Sequence, residues 1–172
     1  MKNKIVLGTA SFVNNYSIYK KKITLKAKEK ILNLMIKKKI LFADTALRYG
    51  KSYEIFKKKK FNKFNVITKI SGFKNINDVE RQIKLFLNRT NTKRIYSVLF
   101  HNTKDLENKR GELYYSQLKN LKKKYKISKI GFSVNNFESL NKLIEKYRPE
   151  IIQTPFSILD RRILSKKYQK LI

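Results

Sequence analysis

The sequence contains a single histidine, His101, and it closes an apolar run, "IYSVLFH" (95–101). Asp44 closes another, "ILFADTA" (40–46) with its polar end at the aspartate, and Lys69 stands near the end of "FNVITKI" (64–70). Tyr49 follows Asp44 by five residues. In parallel α/β folds the C-terminal ends of the strands share one rim, and chemistry collects there. If these runs are parallel strands, an acid, a lysine, a histidine and a tyrosine meet on that rim. Each alone has an ordinary explanation: a core histidine, or one lysine of 34. As a group they do not, because burying an unpaired lysine or aspartate is costly.

The chemistry of such a group is coherent. A free tyrosine, with a pKa near 10, gives up its proton poorly at neutral pH. A neighbouring ammonium favours the phenolate and brings the phenol toward the working range of a general acid. An aspartate keeps that ammonium charged and in place, and a histidine one strand away can donate a hydrogen bond to a substrate oxygen. The set is suited to protonating a carbonyl oxygen while hydride reaches the carbon. Side chains cannot supply hydride, so a nicotinamide cofactor is implied.

The elements that must position these residues are visible as an alternation. Six short apolar runs, "KIVLGTA" (4–10), "ILFADTA" (40–46), "FNVITKI" (64–70), "IYSVLFH" (95–101), "SKIGFS" (128–133) and "EIIQTPF" (150–156), read as buried parallel strands. Between them lie helical stripes. Val79, Ile83, Phe86 and Leu87 follow the i, i+4, i+7, i+8 pattern, with Asn77 and Glu80 placed as a capping box. Tyr114, Leu118, Leu121 and Tyr125 form a second stripe, and Phe137, Leu140, Ile144 and Tyr147 a third. Residues 24–39 predict another helix capped by Thr24, and 52–60 a short, lysine-heavy one.

Strands alternating with helices predict a parallel α/β architecture. A doubly wound nucleotide binder carries a glycine-rich turn after its first strand. Here that turn reads "GTASFVNN", with one glycine. The barrel layout is favoured.

Composition bounds the rest. The 172 residues suffice for one domain with a core, and the absence of cysteine excludes disulfides and thiolate metal sites. No apolar stretch approaches the ~20 residues that cross a bilayer, and the N-terminus reads as a strand; a soluble, cytoplasmic protein with no membrane partner is expected. The net charge of +30 invites a nucleic-acid reading. Only eight of the 42 basic residues are arginine, however, and lysines are scattered, with short runs at Lys20–Lys22, Lys37–Lys39, Lys57–Lys60 and Lys122–Lys124. Lysine, asparagine and isoleucine, all with AT-rich codons, make up 70 of the 172 residues. Genome composition accounts for that excess without a specific nucleic-acid ligand.

As an ordered set, "GTA", "DTALRYG", "VITK", "VLFH", "IGFS" and "IIQTPFSILDRR" resemble the aldo-keto reductases over nearly the whole chain. The resemblance implies a (β/α)8 TIM-barrel fold and an NAD(P)H-dependent oxidoreductase that reduces aldehyde or ketone carbonyls to alcohols, with NADP(H) or NAD(H) as cofactor and no metal. It implies Tyr49 as general acid, Lys69 as the partner that lowers its pKa, Asp44 as the ion-pair partner of Lys69, and His101 as the substrate orienter. Ser133 and Gln153 match positions that hold the nicotinamide carboxamide, Asn135 is assigned with them, and Thr9 sits where the first loop approaches the cofactor.

Three departures stand out. Tyr53 occupies the place of a glutamate that often follows Y-G, with Glu54 next to it. Strand five ends Ser133-Val134-Asn135 where the family often has Ser-Asn. A complete barrel usually takes about 250 residues, whereas six units are legible and "SKKYQKLI" reads as the start of a sixth helix. The expectation is therefore one domain, residues 1–172, forming the first three quarters of a barrel and lacking the last two βα units. Its open edges favour self-association. A catalytically inactive truncated remnant is the alternative reading, and a basic nucleic-acid-binding protein a third.

Overall fold

The computed structural model describes residues 5–13 and 23–170. Lys4 of the first apolar run, the Lys20–Lys22 run and Leu171–Ile172 lie outside the described residues.

Six parallel strands form one sheet: β1 (Leu7–Gly8), β2 (Phe42–Asp44), β3 (Asn65–Ile70), β4 (Ile95–Phe100), β5 (Ile127–Ser133) and β6 (Ile151–Gln153). Neighbours in the sheet are neighbours in sequence from β1 to β6, with no point at which the order reverses. A doubly wound sheet requires such a reversal. Without it, right-handed crossovers keep every helix on one face, and the sheet curls toward a barrel. The result is a curled half-barrel of the (β/α)8 type with six βα units.

Burial follows from that arrangement. All of β3 except Asn65, and all of β4 except Tyr96, is buried, because helices cover one face and the curled sheet the other. Val66, Ile70, Val98, Phe100, Ile130 and Phe132 meet Val79, Ile83, Phe86 and Leu118 in one core. Gly131 permits a close approach in the sheet: a Cβ there would stand 1.7 Å from the Ile151 carbonyl oxygen on β6.

The helices are α1 (Leu25–Lys37), α2 (Asn77–Thr90), α3 (Lys104–Glu107), α4 (Gly111–Lys124), α5 (Leu140–Tyr147) and α6 (Lys166–Gln169). Thr24 caps α1, its hydroxyl oxygen accepting from the Ala27 N–H at 3.2 Å. The capping box on α2 does not form. Asn77 is already helical, so its side chain is not in capping position, and Asp78 instead accepts from the Lys74 N–H at 2.7 Å. Glu80 turns to α4, where Lys124 approaches to 2.8 Å.

Segment 52–60 also differs from the predicted helix. It folds as two 3-10 turns, Ser52–Lys57 and Lys59–Phe61, which bury Tyr53, Ile55, Phe56 and Phe61. Tyr53, standing where a glutamate was expected, accepts a hydrogen bond from Arg89. Phe137 precedes α5 instead of starting it, and its ring packs 5.1 Å from Tyr168 of α6. Run 150–156 is a strand only over Ile151–Gln153: Pro155 has no N–H for a ladder.

Candidate active site

The strand register itself assembles the rim. Asp44 lies opposite Ile67, and Lys69 is two residues beyond Ile67, hence on the same face. Lys69 lies opposite Leu99, and His101 follows Leu99 by two. Leu99 pairs with Gly131, and Ser133 follows Gly131 by two; Ser133 then pairs with Gln153. From β2 to β5 the rim position advances two residues per strand, which is the stagger that closing a barrel demands. One alternation therefore brings Asp44, Lys69, His101, Ser133 and Gln153 to one face.

Tyr49 reaches that rim from the turn after β2. The turn is fastened by Tyr49 N–H to Ala46 O (3.0 Å), Ser52 N–H to Tyr49 O (3.1 Å) and a Thr45–Ser52 hydroxyl pair (3.3 Å). Gly50, at φ +54°, takes the left-handed conformation that lets the chain turn directly after Tyr49. Thr9 supports the same strand end. Its fully buried hydroxyl donates to the Asp44 carbonyl at 3.0 Å and lies 3.5 Å from the Ser52 hydroxyl. Thr9 is thus behind Asp44, away from the cavity wall.

At the centre, the Lys69 ammonium is ion-paired to the Asp44 carboxylate. Lys69 is only 2% exposed. Burial pushes its ammonium below the ordinary lysine range, and the charge and hydrogen bond of Asp44 work against that loss. The same ammonium lies 5.3 Å from the centroid of the Tyr49 ring. Tyr49 meets His101 edge to face, with ring centroids 5.6 Å apart at 88°. The four side chains form one contact chain: Asp44, Lys69, Tyr49, His101.

His101 is neutral at physiological pH. Burial first, and then the positive charges of Lys69 and Arg48, lower its pKa from 6.5 to about 4. Its Nδ1 is buried and has no partner among the described residues. A neutral imidazole retains one N–H donor, which suffices to hydrogen-bond a carbonyl oxygen.

A cavity of about 270 Å³ opens on this cluster. Tyr49, Lys69, His101, Ser133, Asn135 and Gln153 line it, together with Val134, Thr154 and Pro155. Six of the eight residues anticipated from sequence thus share one cavity, while Asp44 and Thr9 stand behind it. Arg48 and the residues after Gln153 were not anticipated. Arg48 could have been, since it sits inside "DTALRYG"; Thr154 and Pro155 lie in a loop whose path no sequence period encodes.

The lining also fits a carboxamide. Gln153 Oε1 is buried with no partner among the described residues, an acceptor open to an N–H, and Ser133 and Asn135 offer further polar groups beside it. Among the described residues, no group of three or more His, Cys, Asp or Glu side chains converges to hold a metal. Nor is any described helix long and apolar enough to cross a membrane.

The model of the aldo/keto reductase family matches residues 4–171. The chain belongs to the aldo/keto reductase family. Solved aldo-keto reductases share its fold. A Pseudomonas aeruginosa protein assigned to this family superposes with a TM-score of 0.74 at 22% identity, over 96% of this chain and 66% of its own. The thermostable aldo-keto reductase Tm1743, solved with the inhibitor epalrestat, gives 0.70 at 21% over 96% and 62%. The holo form of AKR11C1 from Bacillus halodurans gives 0.75 at 19% over 93% and 55%. The chain therefore spans between about half and two thirds of the length of these aldo-keto reductases. No curated protein matches it.

Proposed function

We propose that the chain reduces the carbonyl of an aldehyde or ketone to an alcohol with NADPH or NADH, Tyr49 acting as general acid. The observation that supports this reading most is the buried contact chain from Asp44 through Lys69 and Tyr49 to His101, opening on a cavity. When bound, the nicotinamide supplies hydride to the carbonyl carbon. Ser133, Asn135 and Gln153 would hold its carboxamide, the orphaned Gln153 oxygen accepting from the amide.

The protein's own contribution is to the oxygen. His101, neutral, donates a hydrogen bond to the carbonyl oxygen and fixes its position beside Tyr49. The Tyr49 hydroxyl then transfers its proton to that oxygen as negative charge develops there, and Lys69 stabilises the phenolate left behind. Asp44 holds Lys69 charged against its burial. With the Tyr49 hydroxyl removed the oxygen lacks its general acid, a loss of roughly 10²–10⁴ in rate.

The test is turnover of short aldehydes with NADPH and NADH by the purified chain and by Tyr49→Phe. Turnover by the parent chain that falls at least about 100-fold in the variant, with quenching of cofactor fluorescence retained, supports the assignment. Equal rates in the two proteins refute Tyr49 as the acid. Absence of both cofactor binding and turnover in the parent favours the inactive-remnant reading.

A further inference from the structure

A second cavity, of about 180 Å³, adjoins the first and shares His101, Ser133 and Asn135 with it. Its other walls are Asn102, Thr103, Lys104, Glu107 and Asn136, from the loops that follow β4 and β5 and from α3. None of the eight lining residues is apolar. An alkyl or aryl group placed there would strip water from these groups and return no hydrogen bonds. A molecule whose reacting carbonyl sits at His101 has room to extend into this space with its other end.

The walls hold one cation, Lys104, against one acid, Glu107, and the Asn136 amide already donates to Glu138 at 3.2 Å. The Lys104 ammonium has no partner among the described residues, and neither has the Asn102 amide nitrogen. Three acceptor atoms of the walls are engaged. Asn102 Oδ1 accepts from the Lys104 backbone N–H at 3.0 Å, Asn136 Oδ1 from the Glu138 N–H at 3.1 Å, and Glu107 Oε1 from the Ser139 hydroxyl at 2.6 Å. An open ammonium and an open amide side by side suit a ligand group that brings oxygens and negative charge. The overall charge of +30 adds a long-range field that raises the local concentration of anions.

We propose that the second cavity binds an oxyanion group, carboxylate or phosphate, on the non-reacting end of the substrate, and that Lys104 is the residue that selects it. This rests on the reductase reading above for the placement of the carbonyl. Glu107, the one acid in the wall, opposes the anion and limits its affinity.

Two matched substrate pairs test it and separate the two sources of the charge: succinic semialdehyde against its methyl ester, and glyceraldehyde 3-phosphate against glyceraldehyde. The KM of the charged member relative to its uncharged counterpart is expected to rise about tenfold in Lys104→Gln, one charge-assisted hydrogen bond being lost. It is expected to fall in Glu107→Gln. An unchanged ratio in both pairs overturns the proposal.

A binding measurement keeps the test independent of turnover. The chain's one histidine gives one set of imidazole resonances, and His101 lines both cavities. Titration with succinate or inorganic phosphate is expected to shift those resonances saturably in the parent chain and not in Lys104→Gln. No shift with either anion, or an equal shift in the variant, overturns the proposal. A Lys104-dependent shift in a protein without turnover sustains the anion site while removing the reductase reading.

Discussion

Replacing Asp44 with asparagine isolates the buried ion pair at the heart of the site. The change preserves shape and removes one charge, leaving the Lys69 ammonium, 2% exposed, without its counterion. Breaking a buried pair from one side costs about 3–5 kcal/mol. The lysine's own chemistry sets an upper bound. Once the penalty for a buried ammonium exceeds the cost of deprotonation, the proton leaves, and from 10.5 down to pH 7 that cost is about 5 kcal/mol at 1.36 kcal/mol per unit. Asp44→Asn is therefore expected to lose about 3–5 kcal/mol at pH 7. For a chain of this length that is roughly 6–20 °C in Tm.

The pH dependence identifies the cause. Burial already pulls the Lys69 pKa down in the folded state, and the variant removes the carboxylate that opposes this. Between its folded pKa and about 10.4, the unfolded chain then holds a proton that the folded chain has released. More protons on the unfolded state means stability that rises with pH. Urea unfolding between pH 7 and 10 should show Asp44→Asn recovering stability by up to about 1.4 kcal/mol per pH unit relative to Asp44→Asn/Lys69→Met. The other lysines titrate in both proteins and cancel in that difference. The double variant should also regain more than half of the loss at pH 7, because no buried charge remains. A loss below about 1 kcal/mol, or a double variant no more stable than the single one, refutes the claim that this pair carries a buried charge.

Two further outcomes test other parts of the structure. The His101 imidazole should titrate near pH 4 by NMR; since its folded pKa lies below the usual 6.5, stability should fall as pH drops through that interval, by less than about 1.4 kcal/mol per unit given the water that reaches the ring. A midpoint near 6.5 would mean that His101 is not enclosed beside Lys69 and Arg48. Gly131→Ala places a methyl 1.7 Å from the Ile151 carbonyl oxygen, so it should cost about 1–3 kcal/mol or more as β6 is pushed away, with faster amide exchange confined to Val134 and Ile151–Gln153. Undisturbed exchange there would contradict the close approach of β5 and β6.

The strands and the rim were legible because both follow from short periods. Apolar runs of β length alternating with helical stripes define parallel βα units, and a two-residue alternation decides which side chain of each run faces inward. Asp44, Lys69 and His101 each have an ordinary explanation alone, but at the ends of neighbouring apolar runs they stand out as a group. What failed to show were features fixed by competition between neighbours. Glu80 could cap α2 or reach Lys124, and the tertiary contact prevailed. Residues 52–60 have apolar content enough for a helix, yet burying Tyr53, Ile55, Phe56 and Phe61 together suits 3-10 turns. The second cavity comes from loops after β4 and β5, where side-chain placement depends on packing that no periodicity carries.

The two halves of the candidate site rest on unequal support. Asp44, Lys69 and His101 stand on or directly after β2, β3 and β4, each of which has a strand on both sides, and β3 and β4 are buried nearly throughout. The residues suited to a carboxamide are carried farther out. Ser133 ends β5, and Gln153 ends β6, which among the described residues has a neighbour on one side only and is half-buried along its three residues. Beyond β6, Phe156, Ile158, Leu159 and Leu164 are exposed, Leu159 at 98%. Edge strands open at lower free energy than central ones, because fewer ladder bonds and apolar contacts hold them. Local opening at β6 therefore displaces Gln153 first, while the Asp44–Lys69 pair and the Tyr49–His101 contact remain in place. Destabilising conditions should then displace Gln153 before they disturb the Tyr49–His101 contact.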